Sequence, residues 1–179
     1  RPTPDKAPLV TTLAYDEYSA TELASWLDFN PFSFLHIINP AYVNQQKIGV
    51  EQRFKIVATK YKDFKRDKIF IQDEKPSFYL YRISSKDYNF VGFMAGTSIE
   101  DYKSQCIRRH ENTLDYRVSP LRDYFKISGF NTEPVLMMHP EDSGLDNWIA
   151  NYQSNTPIYD FTTTNRQKHT VWMIDNPQD

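Results

Sequence analysis

The sequence has 179 residues with 12 Tyr, 12 Phe and 3 Trp, a composition that supports an aromatic-rich core and excludes a disordered chain. Its 21 basic and 23 acidic residues give a net charge of -2, which argues against nucleic acid as a partner. No apolar run approaches the roughly 18 residues that span a bilayer, and no signal-peptide pattern opens the chain. We therefore expect a cytoplasmic protein with no membrane contact.

The first elements are a short helix and a short strand. Ser19-Ala20-Thr21-Glu22 has the capping-box pattern and predicts a helix that runs to about Asp28. Phe34–Ile38, which lies between two prolines, has the length of a strand. On that strand His36 shares a face with Phe34 and Ile38, so it is either a core histidine or part of a pocket wall.

A longer helix and a hairpin follow. Apolar residues recur at steps of four and three from Val50 to Phe64, which predicts an amphipathic helix. Phe78–Ile83 and Phe90–Ala95 predict two strands of an antiparallel hairpin around a polar loop. Gly92 and Gly96 do not form a phosphate-binding loop, because neither a Lys-Ser or Lys-Thr pair nor a helix start follows them in the register that such a loop requires.

The chain from Ser98 onward predicts three helices and three strands. Ser98 is expected to cap a short helix, and Thr113 to cap a helix that ends near Ile127, before Gly129. That second helix is expected to point Val118, Leu121 and Phe125 inward. The remaining elements are a short buried strand at Pro134–Met138, a helix marked by Leu145, Trp148, Ile149 and Tyr152, and a hairpin of Ile158–Thr162 with Thr170–Ile174. The order predicts an α+β fold, with a mixed or antiparallel sheet flanked by helices.

The densest group of chemically capable side chains is Ile107–Thr113, which contains two arginines, a histidine, a glutamate, an asparagine and a threonine. The arginines are suited to binding an anion, while His110 or Glu111 handles a proton. A predicted helix start adds free backbone N–H groups, so we expect His110, Glu111 and Thr113 to meet at a surface cleft. A solvated loop with the arginines in ion pairs is the alternative interpretation.

Eight segments in order resemble the N-terminal half of the bacterial domain-of-unknown-function family number ten-fifteen. They are Arg1–Pro4, Tyr15-Asp16, Asn30–His36, Gln72–Pro76 with Tyr79 and Tyr81-Arg82, Ile99–Tyr102, Ile107–Thr113, Asn131–Val135, and Tyr159–Phe161 with His169–Trp172. Full-length members of that family are longer and carry an Asp-Gly-His-His-Arg motif after the Thr-Val-Trp strand. Residues 1–179 would then be a single α+β domain or half-domain that ends before that motif and contacts the missing C-terminal half.

The motif is similar to one in the free-serine kinases of the ParB/sulfiredoxin-like superfamily. The resemblance implies a nucleotide-dependent kinase of a small hydroxy amino acid, such as L-serine, that uses ATP or ADP with Mg²⁺. Its other partners would be the small-molecule substrate and the nucleotide, and the 179-residue chain alone is expected to be inactive.

The resemblance also assigns roles to residues of this chain. Glu111 is the expected general base and His110 the competing one. The expected substrate- or phosphate-binding residues are Arg108, Arg109, Thr113, Arg117, Tyr15, Asp16 and His36. A non-catalytic ligand-binding or regulatory module is the alternative function, and a purely structural half that shapes a site elsewhere is the third.

Overall fold

The structure, a computed structural model, describes residues 1–38, 49–109, 114–132 and 134–176. The chain divides into two units. Arg1–Ile71 with Arg109–Val135 form a unit of helices, here the helical unit, and Gln72–Arg108 with Leu136–Asp179 form a unit around a sheet, here the sheet unit. In chain order the elements are α1 (Ala7–Val10), a 3-10 helix (Tyr15–Glu17), α2 (Ala20–Phe29), α3 (Leu35–Ile38), α4 (Val50–Arg66), β1 (Phe78–Ser84), β2 (Asn89–Met94), α5 (Ile99–Lys103), α6 (Asp115–Ser128), α7 (Ser143–Tyr152), β3 (Tyr159–Thr162) and β4 (Lys168–Ile174).

The helical unit is organised around buried residues of α1, α3 and α4. Val10, Ile37, Val57 and Phe64 form one apolar cluster with Ile69. Helix α2 begins as expected, since the Ser19 hydroxyl accepts a hydrogen bond from the Glu22 N–H and the Glu22 carboxylate accepts one from the Ser19 N–H. The capping box and the amphipathic helix α4 are therefore confirmed.

The strand expected at Phe34–Ile38 is wrong, because Leu35–Ile38 form the short helix α3. The Ser33 hydroxyl accepts a hydrogen bond from the Leu35 N–H at 3.3 Å, a local bond that favours a turn over an extended chain. The run is apolar and short, and such a run has no periodicity that separates a helix from a strand.

Helix α6 was expected to be capped by Thr113 and to bury Val118, Leu121 and Phe125, and both expectations are wrong. Its N-cap is Leu114, which makes no side-chain capping bond, and Thr113 itself lies outside the described residues. The three apolar side chains are 47%, 58% and 52% exposed. The helix instead turns Tyr124 toward the core, where that ring contacts the rings of Phe54 and Phe130. This aromatic packing rotates the apolar stripe away from the core.

The sheet unit contains a four-stranded antiparallel sheet with the strand order β2-β1-β4-β3. Both expected hairpins and helix α7 are confirmed. On one face Leu80, Trp172 and Ile174 are buried and pack against Trp148, Ile149 and Tyr152 of α7. The fold is thus α+β, with an antiparallel sheet flanked by helices.

The strand expected at Pro134–Met138 is also wrong. These residues have no regular structure, and the exposed fractions of Val135, Leu136 and Met138 are 77%, 81% and 85%. A strand requires a neighbour with which its backbone forms hydrogen bonds, and Pro134 lacks the N–H that such pairing uses. The apolar composition of this run therefore does not correspond to burial within the described residues.

Gly129 ends helix α6 with a φ of 78°, in the left-handed region that a side chain disfavours. We predict that Gly129→Ala lowers the free energy of unfolding by about 1–2 kcal/mol, measured by urea denaturation. The matched control is Gly96→Ala, because neither glycine has an atom within 4 Å of the position that a Cβ would take and the φ of Gly96 is not positive. Equal losses in the two variants would contradict the conformational explanation.

Candidate functional site

The arginine pair that the sequence singled out lies on the surface. Arg108 and Arg109 are both exposed, and neither guanidinium group forms an ion pair or hydrogen bond with another described residue. A guanidinium group carries five N–H donors, which suit an anionic ligand. His110, Glu111 and Thr113 lie outside the described residues, so the expectation that they meet in a cleft stays a prediction.

Three other expected site residues belong to the helical unit. Tyr15 and Asp16 lie in the 3-10 helix, where the Asp16 side chain is exposed, and Arg117 lies in the first turn of α6. The side chains of Tyr15 and Arg117 are outside the described part of the structure. The described residues therefore do not show these groups converging on one site.

His36 is held by a backbone bond. Its Nε2 lies 3.0 Å from the carbonyl oxygen of Asn30, and because a carbonyl only accepts, Nε2 is the protonated nitrogen of this pair. Burial lowers the pKa of His36, and the backbone bond partly offsets this while the charge of Lys60 lowers the pKa further. His36 is thus a half-buried, neutral ring at pH 7 that fixes the end of α2.

A groove of about 440 Å³ lies next to Asn30 in the helical unit, lined mainly by Leu9, Trp26, Phe29 and Phe32. The Asn30 amide is already used, since its Nδ2 donates to the Leu9 carbonyl at 2.7 Å and its Oδ1 accepts from the Phe32 N–H at 3.1 Å. The groove therefore offers a ligand mostly apolar contacts.

The sheet unit contains a polar pair that was not predicted as a site. The Tyr81 hydroxyl lies 2.7 Å from Nδ1 of His169, a residue that is only 6% exposed. Nε2 of His169 is buried and has no hydrogen-bond partner among the described residues. Burial raises the pKa of Tyr81 and lowers the pKa of His169, so both groups are neutral at pH 7. Only the pairing of β1 with β4 brings them together, and no local sequence pattern encodes that register.

Arg82 lies on the opposite face of the sheet and has a structural role there. Its Nη1 donates to the Gln153 side chain at 3.0 Å, its Nη2 donates to the Thr170 hydroxyl at 3.4 Å, and the guanidinium lies 5.1 Å from the centre of a Trp172 ring. Contact with an aromatic face stabilises a cation. The side chain thus joins the end of α7 to strand β4.

The described residues contain neither a cluster of metal-ligating side chains nor a membrane-spanning helix. Within these ranges, no three His, Cys, Asp or Glu side chains cluster in a way that would hold a metal ion. Among the helices that the structure describes, none combines the length and the apolar composition needed to cross a bilayer.

The fold and the contacts above define an α+β protein whose antiparallel sheet is flanked by helices. The model of the family described as "Protein of unknown function (DUF1015)" matches residues 1–179, and the chain belongs to that family. The match confirms the family expected from the eight segments, while the kinase activity stays a prediction. No curated protein and no solved structure matches the sequence.

The lowered pKa values of His36 and His169 make stability depend on pH. A buried neutral histidine binds its proton less well in the folded than in the unfolded state, where the pKa is about 6.5. The contribution of these two histidines to the free energy of unfolding is therefore complete above about pH 6.5, and it is lost as the pH falls through their lowered pKa values. His36 changes the free energy of unfolding by less than about 1.4 kcal/mol per pH unit, because this residue is only half-buried.

We predict that the melting temperature falls between about pH 7.5 and pH 5.5, and that it falls less in His36→Gln. His139→Gln is the control, since His139 is exposed. An identical pH dependence in His36→Gln and the parent chain would show that His36 does not carry this effect.

Proposed function

We propose that the chain is part of a cytoplasmic, nucleotide-dependent kinase of a small hydroxy amino acid, with L-serine as the acceptor. The observation that carries the proposal is the pair of exposed guanidinium groups of Arg108 and Arg109, which precede His110 and Glu111 directly in sequence. A guanidinium group binds two phosphate oxygens at once through parallel N–H donors. The pair therefore fits the phosphates of ATP or ADP.

The acceptor requires a base next to those phosphates. An alkyl hydroxyl is a weak nucleophile at neutral pH, and a carboxylate that removes its proton as the bond to phosphorus forms contributes about 10²- to 10⁴-fold. Glu111 has this role in the proposal, because the related kinases use a carboxylate, and His110 is the competing base. Thr113 and Arg117 would contact the substrate or its phosphates.

Mg²⁺ would neutralise the charge of the transferred phosphoryl group. In kinases this ion is usually held by one or two carboxylates together with the phosphates of the nucleotide. Such a site needs no preformed group of three protein ligands, and the described residues contain none.

A non-catalytic ligand-binding module is the second candidate function. The groove of about 440 Å³ beside Asn30 favours it, because apolar lining and a few fixed polar groups are typical of small-molecule sites. Phosphoserine formation distinguishes the kinase from this module, whereas nucleotide binding distinguishes the kinase from a half that only shapes a neighbouring site.

We predict that changing both Arg108 and Arg109 to Gln weakens ATP and ADP binding by about ten- to a hundredfold, because each substitution removes charge-assisted hydrogen bonds to phosphate. Isothermal titration of the whole natural protein measures the effect. The control is Arg122→Gln, an exposed arginine of α6 near Ser119 and Asp123. Unchanged nucleotide affinity in the double variant would contradict the role of the arginine pair.

A second pair of variants distinguishes the two candidate bases. In the whole natural protein, Glu111→Gln is expected to lower serine phosphorylation at least about a hundredfold with little change in nucleotide affinity, because it removes only the proton acceptor. His110→Asn is expected to lose less. Turnover and nucleotide affinity are measured in both variants, and a fully active Glu111→Gln enzyme would exclude Glu111 as the base.

A further inference from the structure

One face of the sheet carries a row of nearly parallel rings. The rings of Phe161 on β3 and His169 on β4 have centroids 5.2 Å apart and planes 18° apart. The rings of His169 and Tyr81 on β1 are 6.0 Å apart at 15°. These spacings are close to the separation of neighbouring strands, about 4.8 Å, so the row advances by one ring at each strand.

The row stops at the fourth strand, where the sequence has a glycine. The register of β1 with β2 pairs Tyr81 with Gly92, which places Gly92 on the same face as the rings. Gly92 is exposed, and no atom lies within 4 Å of the position that a Cβ would take. There is open space at the place where a fourth ring would continue the row.

The backbone gives no reason for a glycine at this position. The φ of Gly92 is not positive, and the pairing of β1 with β2 continues without a bulge on both sides of it. A glycine inside a strand destabilises the protein by about 0.5–1 kcal/mol relative to alanine. Apart from bulges and bends, a strand glycine marks a place where a ligand or another backbone approaches closely. The described residues bring no other backbone to this place.

The side chains around the space have the chemistry of a ring-binding site. Phe90 and Met94 lie two residues before and after Gly92 on the same face and are 65% and 40% exposed. Four residues of strand separate them by about 13 Å, which admits a flat ring between them. Tyr88 supports Phe90, with ring centroids 5.3 Å apart. Thioether and aromatic groups both form favourable contacts with a planar ring.

The bond between Tyr81 and His169 fixes the ring that borders the site. It holds the Tyr81 hydroxyl toward β4, on the side of β1 opposite β2. The Tyr81 side chain is therefore fixed at the edge of the open space instead of lying over Gly92. A fixed ring loses little conformational entropy when a ligand packs against it.

We propose that the space over Gly92 binds the planar heteroaromatic ring of a small ligand, as the fourth member of the row formed by Phe161, His169 and Tyr81. If the proposed kinase function holds, the base of ATP or ADP is a ring of this kind. That identification rests on the proposed function, whereas the ring-binding site rests on the geometry of the sheet unit alone.

Adenosine is the probe, because it carries the base without phosphates and so does not depend on Arg108 or Arg109. The parent protein is expected to bind adenosine in isothermal titration. Gly92→Leu is expected to weaken this binding about ten- to a hundredfold, the loss that accompanies removal of one base-stacking contact. Its free energy of unfolding should be equal to or higher than that of the parent, because leucine favours a strand more than glycine does.

Gly96→Leu is the matched control, since Gly96 has the same open surroundings but lies outside the strand. It should bind adenosine like the parent. Tyr81→Phe keeps the ring but loses the bond to His169, and should bind adenosine more weakly than the parent while remaining folded.

Three results would overturn the site. The first is equal adenosine affinity in Gly92→Leu and the parent. The second is that the parent binds none of adenosine, guanosine, cytidine and uridine at about 1 mM. The third is self-association of the parent that Gly92→Leu abolishes, without any nucleoside binding. Adenosine binding that Gly92→Leu removes, in a protein that forms no phosphoserine, would instead refute the kinase and leave the ring-binding site intact.

Discussion

The pairing of β1 with β4 is the constraint on which the sheet unit depends. Seven residue pairs, from Phe78 with Ile174 to Ser84 with Lys168, join two segments that lie far apart in the chain. At their centre Leu80 is fully buried and Trp172 is 2% exposed, and burying a large apolar side chain contributes about 1.5–3 kcal/mol. This apolar contact offsets the loop-closure entropy that a pairing of such long range requires.

The same pairing assigns different roles to the two faces of the sheet. Alternation along the strands places Leu80 and Arg82 toward α7 and places Tyr81 on the other face. The face with α7 is filled by packing and by the contacts of the Arg82 guanidinium. The other face brings Tyr81 and His169 together and continues to Gly92, where it is open. A change of register by one residue would exchange these roles.

Local patterns predicted much of the fold. The capping box at Ser19, the apolar periodicity of α4 and the turn between β1 and β2 each depend on residues close in sequence, and each was found in the structure. The incorrect predictions concern features decided by distant contacts. Phe34–Ile38 and Pro134–Met138 would form strands only beside a neighbouring strand to which their backbone could bond. The side of α6 that faces the core is set by the contacts of the Tyr124 ring with Phe54 and Phe130. The apolar residues of a segment alone predict neither its strand partners nor the face of a helix that is buried.

The candidate site shows the same division. The sequence singled out Arg108 and Arg109 as candidate anion-binding groups. Both are exposed and form no ion pair among the described residues, and their role stays a prediction. The Tyr81–His169 pair was missed because the two residues meet only through the register of β1 with β4. His36 was expected to bind the substrate or its phosphates, and in the structure its Nε2 forms a hydrogen bond with the backbone carbonyl of Asn30. Residue type therefore indicated possible chemistry, while the tertiary contacts decided which groups are available.

The central claim is that the protein transfers a phosphoryl group from a nucleotide to a small hydroxy amino acid. The most direct measurement is mass spectrometry of phosphoserine after incubation of the whole natural protein with L-serine, Mg²⁺ and either ATP or ADP. The account predicts phosphoserine above a no-enzyme control with at least one of the two nucleotides. A folded protein that forms no phosphoserine with either nucleotide would contradict it.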